Sequence, residues 1–152
     1  MSAPRVFLRY WLPVVLWMGV IFSASTGVGR SENTSRIIGP LLRWLYPQIS
    51  NTTVDQVLFV IRKCSHMTEY AILAGLLWRA RRQPVANDPR PWQGAAALFA
   101  WIVAALYACS DELHQHFVKG RDASVWDVLL DSAGAALGLI ALWQAGRWRK
   151  RW

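Results

Sequence analysis

Lys63, His66, Glu69 and Tyr70 sit together in one stretch of an otherwise apolar region, and Asp111, Glu112, His114, Gln115 and His116 follow the end of a later apolar run. Arg121, Asp122, Asp127 and Asp131 lead into a third such run. Three chemistries fit this set. His66 beside Glu112 or Asp127 suits proton transfer, because imidazole titrates near neutral pH and a neighbouring carboxylate orients it. Lys63 and Arg121 suit an anionic group such as a phosphate. His66, His114 and His116 with a carboxylate have the donor types for a metal, and a histidine pair has those for haem. No compact metal spacing, nucleophile elbow or phosphate loop is present, so no metal and no cofactor is assigned. The competing explanation is structural: a salt-bridge network that holds three helices in register.

Helical spacing groups these residues. At about 100° per residue, Lys63, His66 and Tyr70 fall within about 60° of one another, and Glu69 lies about 60° beyond His66. If the helix before Asp111 continues by one turn, Asp111 aligns with Gln115 and Glu112 with His116. Asp127 and Asp131 align on the last helix. Each helix then carries one polar stripe, and the economical arrangement has the stripes facing one another.

The elements that position these stripes are membrane spans. The chain has 152 residues, of which 54% are hydrophobic and ten are Trp, and a net charge of +8. This length suits one domain, 1–152. For a soluble protein such a charge would suggest nucleic acid, but here the basic residues cluster between long apolar runs, as membrane flanks do. The uncharged run from Tyr10 to Gly29 is long enough to span, so it reads as a span and not as a cleaved leader ending near Ala24 or Thr26. The fold expected is all-α and polytopic: four transmembrane helices at about 6–25, 62–80, 92–112 and 125–144, with a short amphipathic helix in the first outer loop. That short helix, Ser35 to Tyr46, puts Ile37, Ile38, Leu41, Leu42 and Leu45 on one face. It suits either the bilayer surface or packing on the spans. Asn51-Thr52-Thr53 marks a helix start, and no breaker follows from Val54 to about Arg81. Hydropathy alone underrates this second span, because Lys63, His66 and Glu69 interrupt it. Asp111 to Arg121 reads as a polar turn containing His114 and His116. Ser124 with Asp127 fits a capping box opening the last helix. Ala133 to Gly138 gives that helix a small-residue face for close helix approach. Cys64 and Cys109 are too few for a disulfide framework and read as small buried thiols.

Four spans put Arg5, Arg9, Arg79, Arg81, Arg82, Arg90, Arg147, Arg149, Lys150 and Arg151 on one side and the other seven basic residues opposite. The positive-inside rule then places both termini in the cytoplasm of a cell (inner) membrane protein. On that topology the charged residues of three spans share the outer depth, and the inner half carries none. Buried charge in a bilayer is expensive and marks function by default.

The stretch Arg62-Lys63-Cys64-Ser65-His66-Met67-Thr68-Glu69-Tyr70-Ala71-Ile72-Leu73 resembles the K-x-x-H-x-x-x-Y helix of the VanZ-like family. Ser110-Asp111-Glu112-Leu113-His114-Gln115, followed by Gly120-Arg121-Asp122-Ala123-Ser124-Val125-Trp126-Asp127, resembles its second signature, S-D-E-x-x-Q then G-R-x-x-S-x-x-D. Gly134 and Gly138 match its small-residue helix. The resemblance covers about residues 10–140. This chain has Asp131 where the pattern has Asn and Lys119 where Pro is common, and His114 and His116 lie outside the motif. The resemblance implies a small bacterial membrane protein acting at the cell envelope, with a link to teicoplanin and other glycopeptide resistance.

Together these readings give an outward-facing polar pocket that binds or modifies an envelope lipid or lipid-linked precursor. His66, Glu112 and Asp127 are the candidate proton-transfer residues. Lys63, Glu69, Tyr70, Asp111, Gln115 and Arg121 are the candidate binding residues, with Lys63 and Arg121 on an anionic head group. The rival function is non-enzymatic: a small transporter, flippase component or membrane assembly partner, with Gly134 and Gly138 available for oligomer contacts.

Overall fold

The computed structural model describes residues 3–25, 31–85, 88, 90–117 and 124–150, and gives side-chain surroundings from residue 35 onward in the second helix. Every element among them is helical: α1 Ala3–Ser25, α2 Ser31–Leu45, α3 Asn51–Arg82, α4 Gly94–His116 and α5 Val125–Trp148. The helix α1 contains one wide turn, Phe7–Trp11, in which the Leu12 N–H reaches back to the Phe7 carbonyl. Its cause follows in the sequence. Pro13 has no N–H, and in a regular helix its ring would meet the carbonyl of Arg9; a widened turn relieves that conflict.

Among the described residues, α1, α4 and α5 are long and apolar enough to cross a membrane. The helix α3 is longer, at 32 residues, or about 48 Å at 1.5 Å per residue. Its polar residues keep it below that apolar threshold, as its sequence predicts. It starts where expected: Ser50 caps it by accepting the Thr53 N–H at 3.1 Å. It ends at Gln83, whose left-handed φ of 49° closes the helix with an N–H to the Arg79 carbonyl at 2.9 Å.

Side-chain contacts fix the chain directions. Trp17 Nε1 donates to the Glu69 carbonyl at 2.9 Å and Tyr10 Oη to the Pro84 carbonyl at 2.7 Å, so α1 and α3 are antiparallel. Trp78 stacks on Trp92 at 4.8 Å and Tyr70 meets Tyr107 at 6.3 Å, so α3 and α4 are antiparallel. Trp101 Nε1 donates to the Ser132 carbonyl at 3.0 Å, while Ser124 at the start of α5 meets Glu112 near the end of α4. The four long helices therefore alternate in direction, and α3 packs against each of the others, most extensively α5.

Large residues such as Ile21, Tyr70, Leu73 and Leu77 fill the centre of the bundle, but the inner face of α4 is small, and much of the exterior is large and apolar. Ala96, Ala100, Ala104 and Ala108 form a buried stripe down α4, while Leu98, Leu106, Leu137 and Ile140 are each more than half exposed. A protein folded in water would bury those leucines; a helix bundle in lipid packs small residues inside and shows leucine to the acyl chains. Gly134 and Gly138 serve the same packing. A Cβ on Gly134 would lie 2.5 Å from the Met67 carbonyl oxygen, and one on Gly138 would lie 2.7 Å from the Ala71 Cα. The small-residue face is thus taken up by α3 of the same chain, the close helix approach expected of it, and is not open for the oligomer contacts of the rival reading.

The short helix α2 begins four residues earlier than expected. Arg43 Nη2 donates to Asn51 Oδ1 at 3.0 Å, tying it to the start of α3. Ile38 and Leu42 are half-buried, whereas Ile37, Leu41, Trp44 and Leu45 are exposed. Cys64 and Cys109 are free thiols on exposed faces, not the buried thiols expected. Each occupies an outward position of a helix whose inner face is already filled by larger or polar groups.

The end of the bundle away from the polar stripes is not charge-free either. Arg82 is 3% exposed. It donates to the Arg90 carbonyl, to the Pro91 carbonyl at 2.9 Å and to Asp88 Oδ2 at 3.4 Å, with its guanidinium 5.2 Å from the Trp78 ring centroid. Arg90 grips Asp88 through Nε at 2.8 Å and Nη2 at 2.6 Å, and also donates to the Arg82 and Gln83 carbonyls. This clasp closes the α3–α4 loop. Hydrogen bonding to Arg90 holds the Asp88 carboxyl well below the ordinary carboxylate range and raises Arg90 in turn.

Candidate functional site

The α3–α5 contact is a parallel ladder. Lys63 pairs with Asp127, His66 Nδ1 lies 3.9 Å from Asp131 Oδ2, Met67 backs Gly134 and Ala71 backs Gly138. Exposure falls along it: the Lys63 and Asp127 side chains are 24% and 27% exposed, His66 is 19% and Asp131 is 1%. The glycines bring the two helices close enough for these short acidic side chains to reach across.

The helix α4 supplies the third wall, because it continues through the predicted polar turn to His116. The alanine stripe gives way on the same face to buried Asp111, Glu112 and Gln115. Asp111 Oδ2 accepts Ser25 Oγ at 2.7 Å and Gln115 Nε2 at 2.9 Å, the i,i+4 alignment expected if the helix continued. Ser25 draws the end of α1 into the site, a contact that the sequence did not indicate.

The Ser124 capping box is only half used. Ser124 Oγ accepts the Trp126 N–H at 3.2 Å, but the Ser124 N–H donates to Glu112 Oε2 at 3.0 Å. In a full box, Asp127 would take that N–H. With Glu112 holding it, Asp127 is released to pair with Lys63. So Glu112 docks the start of α5 onto α4, and Asp131 is the carboxylate beside His66. From the sequence, Glu112 or Asp127 is the residue expected in that place. A signal for Asp131 was present: His66 lies one turn beyond Lys63 as Asp131 lies one turn beyond Asp127.

Tyr70 is fully buried one turn below His66, within electrostatic reach of Asp111, Asp131 and Glu112. Its hydroxyl, Asp111 Oδ1, Glu112 Oε1 and both Asp131 oxygens have no hydrogen-bond partner among the described residues. Buried polar atoms are nearly always satisfied, so this concentration singles the place out.

The other predicted residues lie elsewhere. Glu69 is turned away into a shallow groove of about 450 Å³ between α1 and α3, lined by Trp17, Ile61, Cys64, Thr68 and Ile72. His114 stacks on Phe22 at 4.5 Å, and His116 is exposed against Phe117, both on helix α4 and not in a turn. Among the described residues no three of His, Cys, Asp or Glu converge as ligands for one metal ion. Arg121 lies outside the described residues, as do Lys119 and Asp122.

The site therefore joins Lys63, His66 and Tyr70 of α3, Asp111, Glu112 and Gln115 of α4, and Asp127 and Asp131 of α5. Chemically, it offers a histidine beside a buried carboxylate, one half-buried ion pair at its edge and a surplus of acceptor oxygens inside. No curated protein matches the chain, and neither does any solved structure. A family model does: that described as VanZ/LLP1 aligns with residues 10–146, which takes in every helix forming the site, and with its apolar helices the chain is a membrane protein belonging to the VanZ/LLP1 family.

Proposed function

We propose that the chain crosses the cell (inner) membrane four times with both termini cytoplasmic, and that its polar site faces outward to bind or modify an envelope lipid or lipid-linked precursor. The observation that carries this reading is the set of buried carboxyl groups contributed by α4 and α5 against α3. Such groups are costly inside a bilayer bundle unless they serve a ligand or a proton. The alternating helix directions support α3 as a true crossing. Its polar residues tolerate that position because the other long helices surround it. The placement of α2, with Ile37, Leu41, Trp44 and Leu45 exposed, supports an interfacial helix lying on the outer leaflet.

In this reading His66 moves the proton with Asp131 beside it, the Lys63–Asp127 pair lies one turn nearer the edge, and Glu112 holds the entrance formed by α4 and α5. Lys63 sits at the edge, where an arriving phosphate competes with Asp127 for it, and Arg121 serves the same group. Glu69 contacts the lipid from the neighbouring groove. Teicoplanin resistance follows from an altered envelope and not from destruction of the drug. The test is alanine replacement of His66 and of Glu112 in cells, with resistance and the envelope lipid profile measured together. Folded variants that lose resistance support the site. Folded variants with full resistance and unchanged lipids refute it.

A further inference from the structure

The described part of the site is strongly unbalanced in charge. Asp111, Glu112, Asp127 and Asp131 face Lys63 and His66, so at least two carboxylates have no cation there even with His66 protonated. Asp127 has Lys63. The excess falls on the deeper three. Glu112 lies within electrostatic reach of Asp131 and Asp111, and Asp131 within reach of Asp111, and all three are buried. The oxygens without a hydrogen bond are Asp111 Oδ1, Glu112 Oε1 and both of Asp131, of which Oδ2 faces His66 Nδ1 at 3.9 Å, and each of the three acids is at least nine-tenths buried. The fully buried Tyr70 hydroxyl, also unpartnered, borders them.

We infer that this inner part of the site receives a primary ammonium group, so that the lipid bound is one whose head group carries an amine. An ammonium presents three N–H donors, and three carboxyl groups on two helices present the acceptors. It brings the positive charge that the buried carboxylates lack, which a neutral hydroxyl would not. A quaternary ammonium brings the charge without the donors. Access follows the fall in exposure from the Lys63–Asp127 pair past His66 to Asp131. A phosphate at that edge and an amine inside are the two ends of a zwitterionic head group. The inference rests on the lipid-binding reading above and narrows its substrate class.

The experiment uses the full chain reconstituted in vesicles of equimolar phosphatidylethanolamine, phosphatidylcholine and phosphatidylglycerol with matched acyl chains. After extraction, the lipid retained on the protein is identified by native mass spectrometry. The ethanolamine lipid should be enriched about tenfold over the other two, the equivalent of one charge-assisted hydrogen bond. Asp131→Asn and Glu112→Gln, which keep shape and remove charge, should each abolish the enrichment. Asp55→Asn, at an exposed acid near the start of α3, should leave it intact. Enrichment of the choline or glycerol lipid that depends on Asp131 overturns the ammonium inference and leaves the lipid-binding reading standing. No selective retention by the wild-type chain overturns both. Ethanolamine enrichment unchanged in the folded Asp131→Asn and Glu112→Gln variants places the amine elsewhere and overturns the inference.

Discussion

Replacing Gly134 with Ala tests whether the α3–α5 contact sets the geometry of the site. The new Cβ would stand 2.5 Å from the Met67 carbonyl oxygen, 2.7 Å from its Cα and 2.9 Å from its carbonyl carbon, whereas ordinary contact begins at 3.4 Å. The helices must therefore part locally by about 0.9 Å, and no rotamer can relieve the clash because all three atoms are backbone. Overpacking of this kind costs about 1–3 kcal/mol. Alanine also improves helix propensity over glycine by about 1 kcal/mol, which would mask part of that loss. Gly75→Ala supplies the control, since nothing lies within 4 Å of a Cβ there and the propensity gain is the same. The steric cost is then the difference between the two variants, about 1–3 kcal/mol in favour of Gly75→Ala. Thermal unfolding in detergent micelles reads it directly. If Gly134→Ala and Gly75→Ala are equally stable, the close α3–α5 approach is not what holds the site together, and the ladder argument fails with it.

Three further outcomes follow from the same contacts. Lys63→Ala and Asp127→Asn should each cost little, about 0–1 kcal/mol, because the pair is about a quarter exposed, and the double variant should cost no more than the worse single; a double-variant cycle with additive losses removes the pair as an interaction. Arg82→Gln should destabilise by about 1–3 kcal/mol, since it leaves half-buried loop carbonyls without their donor and removes the stacking on Trp78; an unchanged melting temperature counts against the clasp. Asp88 is held below the ordinary carboxylate range by Arg90, so its contribution is fully present above about pH 4 and is lost as pH falls through the lowered value; Asp88→Asn should flatten the acid limb of the stability profile and leave the limb between pH 5 and 8 unchanged.

Much of this was legible in the sequence because bilayer crossing and helical spacing are local properties. The limits of α3, the start of α5 and the Asp111–Gln115 alignment all come from spacing within one segment, and the family resemblance from motif spacing in two, whereas α5 runs on past the expected end at 144 to Trp148. The partner choices were not local. Nothing in the capping-box pattern says that Glu112 will take the Ser124 N–H, so pairing of Asp127 with Lys63 emerged only in three dimensions. Glu69 is on the same helix turn as His66, yet about 60° of rotation separates the buried stripe from the lipid-facing groove. Arg82 looked like one of several flanking basic residues. Its burial depends on the chain doubling back at Asp88 to Pro91, which hydropathy does not encode. The cysteines were assigned inward from their usual habit, but in lipid the outward face is apolar and accepts a thiol as readily as the core does.

The least apolar of the long helices is also the central one, and these two facts explain each other. A helix carrying Lys63, His66 and Glu69 would cross a bilayer poorly alone. Packed against α1, α4 and α5, it turns one face to Asp127, Asp131 and the Gly134–Gly138 stripe. The glycines allow the approach, the approach lets the acids reach, and the acids in turn compensate Lys63 and His66. Yet the compensation overshoots. A purely structural network would have stopped at charge balance, with Asp127 for Lys63 and one acid for His66. The additional buried Asp111 and Glu112 each keep an oxygen unpartnered among the described residues, a cost that a bound group would offset on the proposed reading. On the proposed reading, that excess, more than the presence of charge in the membrane, is what marks a binding site and not a helix staple.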